Sequence, residues 1–290
     1  MAAYSAAAAP GCTMYRIFSG MLLNLFKRGS IILAVLALLN QMPMTANAAE
    51  ASPAEVSPIS SAFCEDMKNH KALTNHGPVG CDRLASVKFS YFGFDGRVHA
   101  DGEIIVLDAV AARVARIFDR LLDLRFPLTK AQPINRYEGD DDASMADNNT
   151  SSFNDRPVAG GTSLSMHAYG LAIDLNPVQN PFLEGAGAMR HVSPDGGDKY
   201  LDRKDIRPGM AETVVDVFAD NGFLIWGGDW HDPIDYQHFQ LGREMAEQLA
   251  RLPSAAARDV FEKRTEQYRQ CRQSGKTRTA CNSTPRPSKS

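Results

Sequence analysis

Residues 165–174 read SMHAYGLAID: a histidine on a glycine-interrupted turn, seven residues ahead of an aspartate that closes a strand-like run. A carboxylate among Leu171, Ile173 and Leu175 is costly to bury unless something pairs with it or coordinates it. On a strand, Ala172 and Asp174 point one way and the three aliphatic residues the other, so Asp174 is aimed off the apolar face. Gly170 lets the chain fold so that His167 reaches the same point. A second histidine, His238, lies in DYQHFQL (235–241) beside a run, Phe239 to Leu241, that anchors it to a core. Two imidazoles and one carboxylate make a three-ligand zinc set with a fourth position open, as in catalytic rather than structural zinc sites. Asp235, three residues before His238, is then placed to act as general base on a bound water. Spacing alone leaves this undecided. A lone His…Asp pair is more often an ordinary core or surface pair, and neither His-Glu-x-x-His nor His-x-His occurs.

Outward from this stretch, GLAIDLNP (170–177) is a strand stopped at Asn176-Pro177. VKFSYFGF (87–94), Asp95-Gly96 and RVHADGEIIV (97–106) predict strand, turn and strand. Apolar residues three and four apart over 106–124 predict an amphipathic helix. FPLTKAQPINRY (126–137) resumes an extended path, and the acidic run 138–155 reads as a long polar loop. PGMAETVVDVFADNGF (208–223) predicts a second helix, with Pro208 near its start and Gly222 just past its end. Strands and helices without βαβ alternation indicate an α+β fold, a small antiparallel sheet with flanking helices. The expected main domain spans 87–252, after an extension at 49–86 and before a tail at 253–290.

At 290 residues, 44% hydrophobic and 22% charged, the chain can bury one sizeable core. Lys27 and Arg28 precede the apolar run 31–39, and Ala46-Asn47-Ala48 supplies a small-x-small cleavage site. That order predicts a secretory signal peptide over 1–48, with an uncleaved anchor as the alternative. The mature protein is therefore expected in the periplasm or outside the cell. Cys64, Cys81, Cys271 and Cys281 then remain in an oxidising compartment, without metal-site spacing. Cys64–Cys81 and Cys271–Cys281 are the simplest of three pairings. Charge is uneven: residues 251–290 hold ten Lys/Arg and three Asp/Glu, leaving a net −13 on 49–250. The acidic body offers no nucleic-acid face. The basic tail reads as a solubilising segment with a mobile end, or as a weak contact to anionic wall polymers or membrane.

SMHAYGLAIDLNPVQNP followed by WGGDW…DYQHFQL resembles the D-alanyl-D-alanine carboxypeptidase / L-alanyl-D-glutamate endopeptidase family of zinc peptidases, in its VanY-like form. That fold group also includes the hedgehog signalling domain. The shared pattern is Ser-x-His-x(6)-Asp and then Asp-x-x-His. The resemblance implies a hedgehog/D-Ala-D-Ala peptidase-like fold, one Zn2+ per chain on His167, Asp174 and His238, Asp235 as catalytic base, and peptidoglycan stem peptides as substrates. It also implies an upstream arginine on the substrate. Arg156 fits that place best, with Arg136 as rival and a loop salt bridge as the alternative use. A non-catalytic metal-bearing module is the other reading of the resemblance; Asp235 argues against it.

Ser165 either contacts substrate or caps the turn before His167. Trp230 and Trp226 flank a Gly-Gly and either wall a cleft or pack in the core. His231 is a decoy ligand at the rim. His70, His76, His99 and His191 lack any ligand spacing. The acidic run 139–144 resembles a calcium loop but lacks its glycine and distal glutamate, so a helix-capping role is expected.

Overall fold

A computed structural model describes residues 51–282 apart from His76, Ala159 and Gly160. The expected signal peptide, Cys12, His76 and the last eight residues of the tail lie outside the described residues. The strands are β1 (Glu55–Pro58), β2 (Leu84–Gly93), β3 (Val98–Leu107), β4 (Pro127–Leu128), β5 (Lys130–Ala131), β6 (Asn149–Thr150), β7 (Ala172–Asp174), β8 (Phe182–Glu184), β9 (His191–Ser193), β10 (Ile225–Trp226), β11 (Ile234–Asp235) and β12 (His238–Gln240). The helices are α1 (Ser61–Asn69), α2 (Ala111–Asp123), α3 (Asp141–Ala146), α4 (Val215–Asp220), α5 (Arg243–Arg251), α6 (Ser254–Gln273) and α7 (Arg278–Asn282). Small, mostly antiparallel sheets mixed with helices fit an α+β class.

The strand–turn–strand expected at 87–106 is the β2–β3 hairpin, with β1 antiparallel and β4 parallel along the other edge of β2. β2 is buried along nearly its whole length because α2 covers it, with Phe118 stacked on Phe89 at 3.8 Å. The helix predicted from residue 106 starts at Ala111 instead. Val106 and Leu107 pair with Ala85 and Leu84, so a ladder partner remote in sequence overrides the helical spacing there.

The acidic stretch predicted as loop also differs, because it carries α3 and β6. Asp140 accepts the Ala143 N–H at 3.0 Å, and Asp141 and Asp142 occupy the first turn, where carboxylates favour a helix start. The helix predicted over 208–223 is a 3-10 turn at Ala211–Thr213 followed by α4. It stops before Gly222, whose φ of +96° continues no helix.

The segments 49–86 and 253–290 share the core in their described parts. β1 pairs with β2, and α6 buries Ala257, Phe261, Thr265 and Tyr268 at helical spacing. Both local disulfides are present, Cys64–Cys81 with Cα atoms 5.9 Å apart and Cys271–Cys281 at 5.6 Å. No helix among the described residues is long and apolar enough to cross a membrane.

Two small sheets build the cleft. β10, β12 and β7 run antiparallel in that order and form its floor. The floor is tied to β3, since Leu107 N–H donates to the Gly170 carbonyl at 3.0 Å and Phe153 N–H to Ile105 at 3.0 Å. Phe218 stacks on Phe239 at 3.9 Å beneath it. β11, β8 and β9 form a second sheet, which stands as a wall.

Candidate active site

His167 lies in a 3-10 turn, Met166–Tyr169. The Ser165 hydroxyl accepts the His167 N–H at 3.2 Å and so caps that turn. Gly170 ends it at φ +65°, and a Cβ there would lie 2.6 Å from the Leu107 nitrogen. Both the left-handed backbone and the contact with β3 require glycine. The chain then enters β7, where Asp174 stands directly opposite His238 of β12. Cross-strand partners project from the same face, which brings carboxylate and imidazole together across 64 residues of sequence.

The three side chains converge. His238 Nδ1 lies 2.8 Å from Asp174 Oδ1, His167 Nε2 is 3.1 Å from Asp174 Oδ2, and the two imidazole nitrogens are 3.3 Å apart. All are buried, at 2, 3 and 7 % exposure for His167, Asp174 and His238. The far side of each ring is already engaged. His167 Nδ1 donates to the Ser152 carbonyl at 2.5 Å, and His238 Nε2 donates to Gln240 Oε1 at 2.8 Å. These acceptors fix the tautomers, so Nε2 of His167 and Nδ1 of His238 present lone pairs to the carboxylate. With both rings deprotonated, two lone pairs and a carboxylate face one point and could hold a cation there. A borderline-soft divalent metal suits this N2O donor set.

Burial works against charge on Asp174, but the two facing imidazoles outweigh it and hold its carboxyl well below the usual range. For His238, burial opposes the imidazolium, yet Asp174 and then Asp235 push it up to about 9. Asp235 behaves in the opposite sense. Burial of its carboxyl, reinforced by repulsion from Asp174, pushes it up to about 7 against the attraction of His238. Its Oδ1 is buried and lacks a hydrogen-bond partner. Gly227 packs so closely on Asp235 that a Cβ would meet its carbonyl oxygen at 2.3 Å.

A cavity of about 580 Å³ opens over this cluster, with His167, Asp174, Asp235 and His238 in its lining. The described residues thus place a metal-type cluster and a carboxylate with one unpaired buried oxygen in one cleft. Residues 159–241 match a family model described as D-alanyl-D-alanine carboxypeptidase. The matched segment contains His167, Asp174, Asp235 and His238, and it supports a peptidase. No curated protein and no solved structure matches the chain.

Within this carboxypeptidase-like segment and its surroundings, the other expected residues fall into three groups. Ser165 and Trp230 line the cleft, Trp230 with its ring 5.6 Å from that of His238. Trp226 belongs to the core instead, stacked on Phe239 with Nε1–H donating to the Tyr236 carbonyl at 2.8 Å. Arg156 lines the cleft but is also ion-paired, its Nη2 2.5 Å from Asp141 of α3, while its buried Nε has no partner. The loop salt bridge and the cleft position therefore coexist. Arg136 and His231 are exposed and do not line the cavity.

Sequence reasoning missed Arg243, His191, Glu184 and Gln240, all of which line the cleft. Gln240 was within reach of the strand period, two residues beyond His238 and so on the same face. The Ser152 carbonyl had no sequence signal, since any residue supplies a backbone oxygen.

Proposed function

We propose that the chain is an exported zinc peptidase that hydrolyses peptidoglycan stem peptides as a D-alanyl-D-alanine carboxypeptidase, on a hedgehog/D-Ala-D-Ala peptidase-like fold. The observation that carries this reading is the convergence of His167 Nε2, Asp174 and His238 Nδ1 beside Asp235, whose Oδ1 is buried without a hydrogen-bond partner. The three converging groups would hold one Zn2+. Such an ion supplies Lewis acidity toward a scissile carbonyl and a lowered pKa for a bound water.

The chain's own residues do the rest. Asp235 Oδ1 accepts the proton of the attacking water and returns it to the leaving amine. A carboxyl with a pKa near 7 suits both directions of that transfer. Arg156 and Arg243 supply cations to the cleft, suited to a peptide's terminal carboxylate. Trp230 offers an apolar wall beside His238. An opening of about 580 Å³ accommodates several residues of a peptide.

The test is incubation of the mature protein with muropeptides, with and without a chelator, and identification of products by mass. Loss of a single D-alanine, suppressed by chelation and restored by zinc, is the expected result. Cleavage between L-Ala and D-Glu would retain the chemistry but make the protein an endopeptidase. Stoichiometric zinc with no product would leave a metal-bearing binding module.

Zinc uptake should also depend on pH with a defined sign. With the pKa of His238 pushed up to about 9, its proton must leave before Nδ1 can bind a metal. Zinc affinity of the metal-free chain is therefore expected to rise with pH, up to about tenfold per unit, and to level off near pH 9. Titration calorimetry in buffers of different ionisation enthalpy measures the released protons. Affinity independent of pH between 6 and 9 would contradict this electrostatic account.

A further inference from the structure

The C-terminal hairpin contacts a segment that leads into the cleft. α7 is joined to the end of α6 by Cys271–Cys281, and two of its side chains grip one short segment of the body. Arg278 forms a two-pronged ion pair with Asp229, Nη1 to Oδ2 at 2.6 Å and Nη2 to Oδ1 at 2.9 Å. Asn282 Nδ2 donates to the Leu224 carbonyl at 3.2 Å, and its own carbonyl accepts from Arg264 Nη2 at 3.1 Å. The hairpin thus holds both ends of residues 224–229.

That segment connects directly to the reactive groups. Ile225 and Trp226 pair with Gln240 and Phe239 of β12. Gly227 sits against Asp235. Trp230, whose N–H donates to the Gly227 carbonyl at 3.1 Å, follows the turn and faces His238. Displacement of the turn would shift the indole and remove the backing of the Asp235 carboxylate. We infer that Arg278, fixed by the Cys271–Cys281 disulfide, is a positioning residue that sets Trp230 and Asp235 against the metal-type cluster. Its effect on turnover rests on the peptidase reading; its effect on Trp230 does not.

The energetics separate this from a merely structural role. Asp229 is half exposed, and an ion pair that open to solvent contributes little to global stability. Misplacing catalytic groups by about an ångström, however, can cost a hundredfold in rate. Arg278→Ala is expected to lower kcat on the muropeptide substrate about tenfold, with unchanged zinc stoichiometry and a nearly unchanged Tm. Arg278→Lys should recover most of the loss. The Cys271→Ser/Cys281→Ser double variant should reproduce the loss of kcat, with a lower Tm from the lost cross-link.

A second readout needs no activity. In a Trp226→Phe background Trp230 is the sole indole, and Arg278→Ala should raise its acrylamide quenching constant about twofold. Wild-type kinetics in Arg278→Ala, or a Tm loss matched by no change in kcat, would overturn the inference. If the wild type hydrolyses no peptide, unchanged quenching would overturn it and increased quenching would support it.

Discussion

His238→Ala is expected to reduce muropeptide hydrolysis to the level of the chelated enzyme and to take bound zinc from one ion per chain to near zero. The side chain supplies one of three converging ligand atoms and also faces Asp174 at 2.8 Å across the β7–β12 register. Removing it leaves a buried carboxylate with His167 as its remaining ionic partner. Stripping one member from a buried ion pair costs roughly 3–5 kcal/mol, so the variant should also melt lower than the metal-free wild type. Gln240→Ala provides the graded comparison. Gln240 touches only the far nitrogen of His238, and losing such an outer partner weakens metal affinity by about 10–100-fold. Metal analysis and thermal melts on both variants check the pair. Retention of stoichiometric zinc by His238→Ala would displace this residue from the ligand set.

The second large effect is a separation of activity from stability at Asp235. Asp235→Asn should lower kcat by about 10²–10⁴-fold, the usual worth of a general acid–base group, while zinc content stays at one. Stability should not fall. The carboxylate lies near Asp174, has a buried oxygen without a partner, and is pushed up to about 7 by burial and that repulsion. A carboxyl whose pKa rises on folding destabilises the native state as pH climbs from its unfolded value near 4, with the cost complete above about 7. The metal-free wild type should therefore lose stability across that window relative to Asp235→Asn. Parallel melts from pH 4 to 8 measure the difference. A variant that is inactive because it is unfolded or zinc-free would refute the base assignment.

The parts of the site encoded by local spacing were legible in the sequence. Ser165, His167, Gly170 and Asp174 lie within ten residues, and each has a reason to be there: a hydroxyl cap, an imidazole, a left-handed turn and a carboxylate. The β2–β3 hairpin was legible for the same reason, because Asp95-Gly96 lies between two apolar runs. What escaped depended on partners distant in sequence. Val106 and Leu107 obey a helical period but join β3 because Leu84 and Ala85 are there to pair with them. The acidic run concealed α3, since Asp140 as a cap turns polar residues into a helix start. Arg243, nearly ninety positions from Arg156, enters the cleft from a helix whose sequence gives no hint of it. The basic tail, read as a solubilising segment with a mobile end, carries α6 and α7 up to residue 282 and is joined to the body by Arg278 and Asn282, while its last eight residues lie outside the described ones.

The division of the cleft between two sheets has an evolutionary consequence. The floor strands β7 and β12, with the turn that leads into β7, carry the groups that would hold the ion, whereas β8 and β9 contribute Phe182, Glu184, His191 and Ser193 to the opposite side. The two meet through β11, which pairs with β8 and presents Asp235. On the proposed reading, residues 182–193 can change, and with them the contacts offered to a peptide, without altering the groups that would hold the ion. An engineer seeking a new cutting preference would randomise that hairpin first.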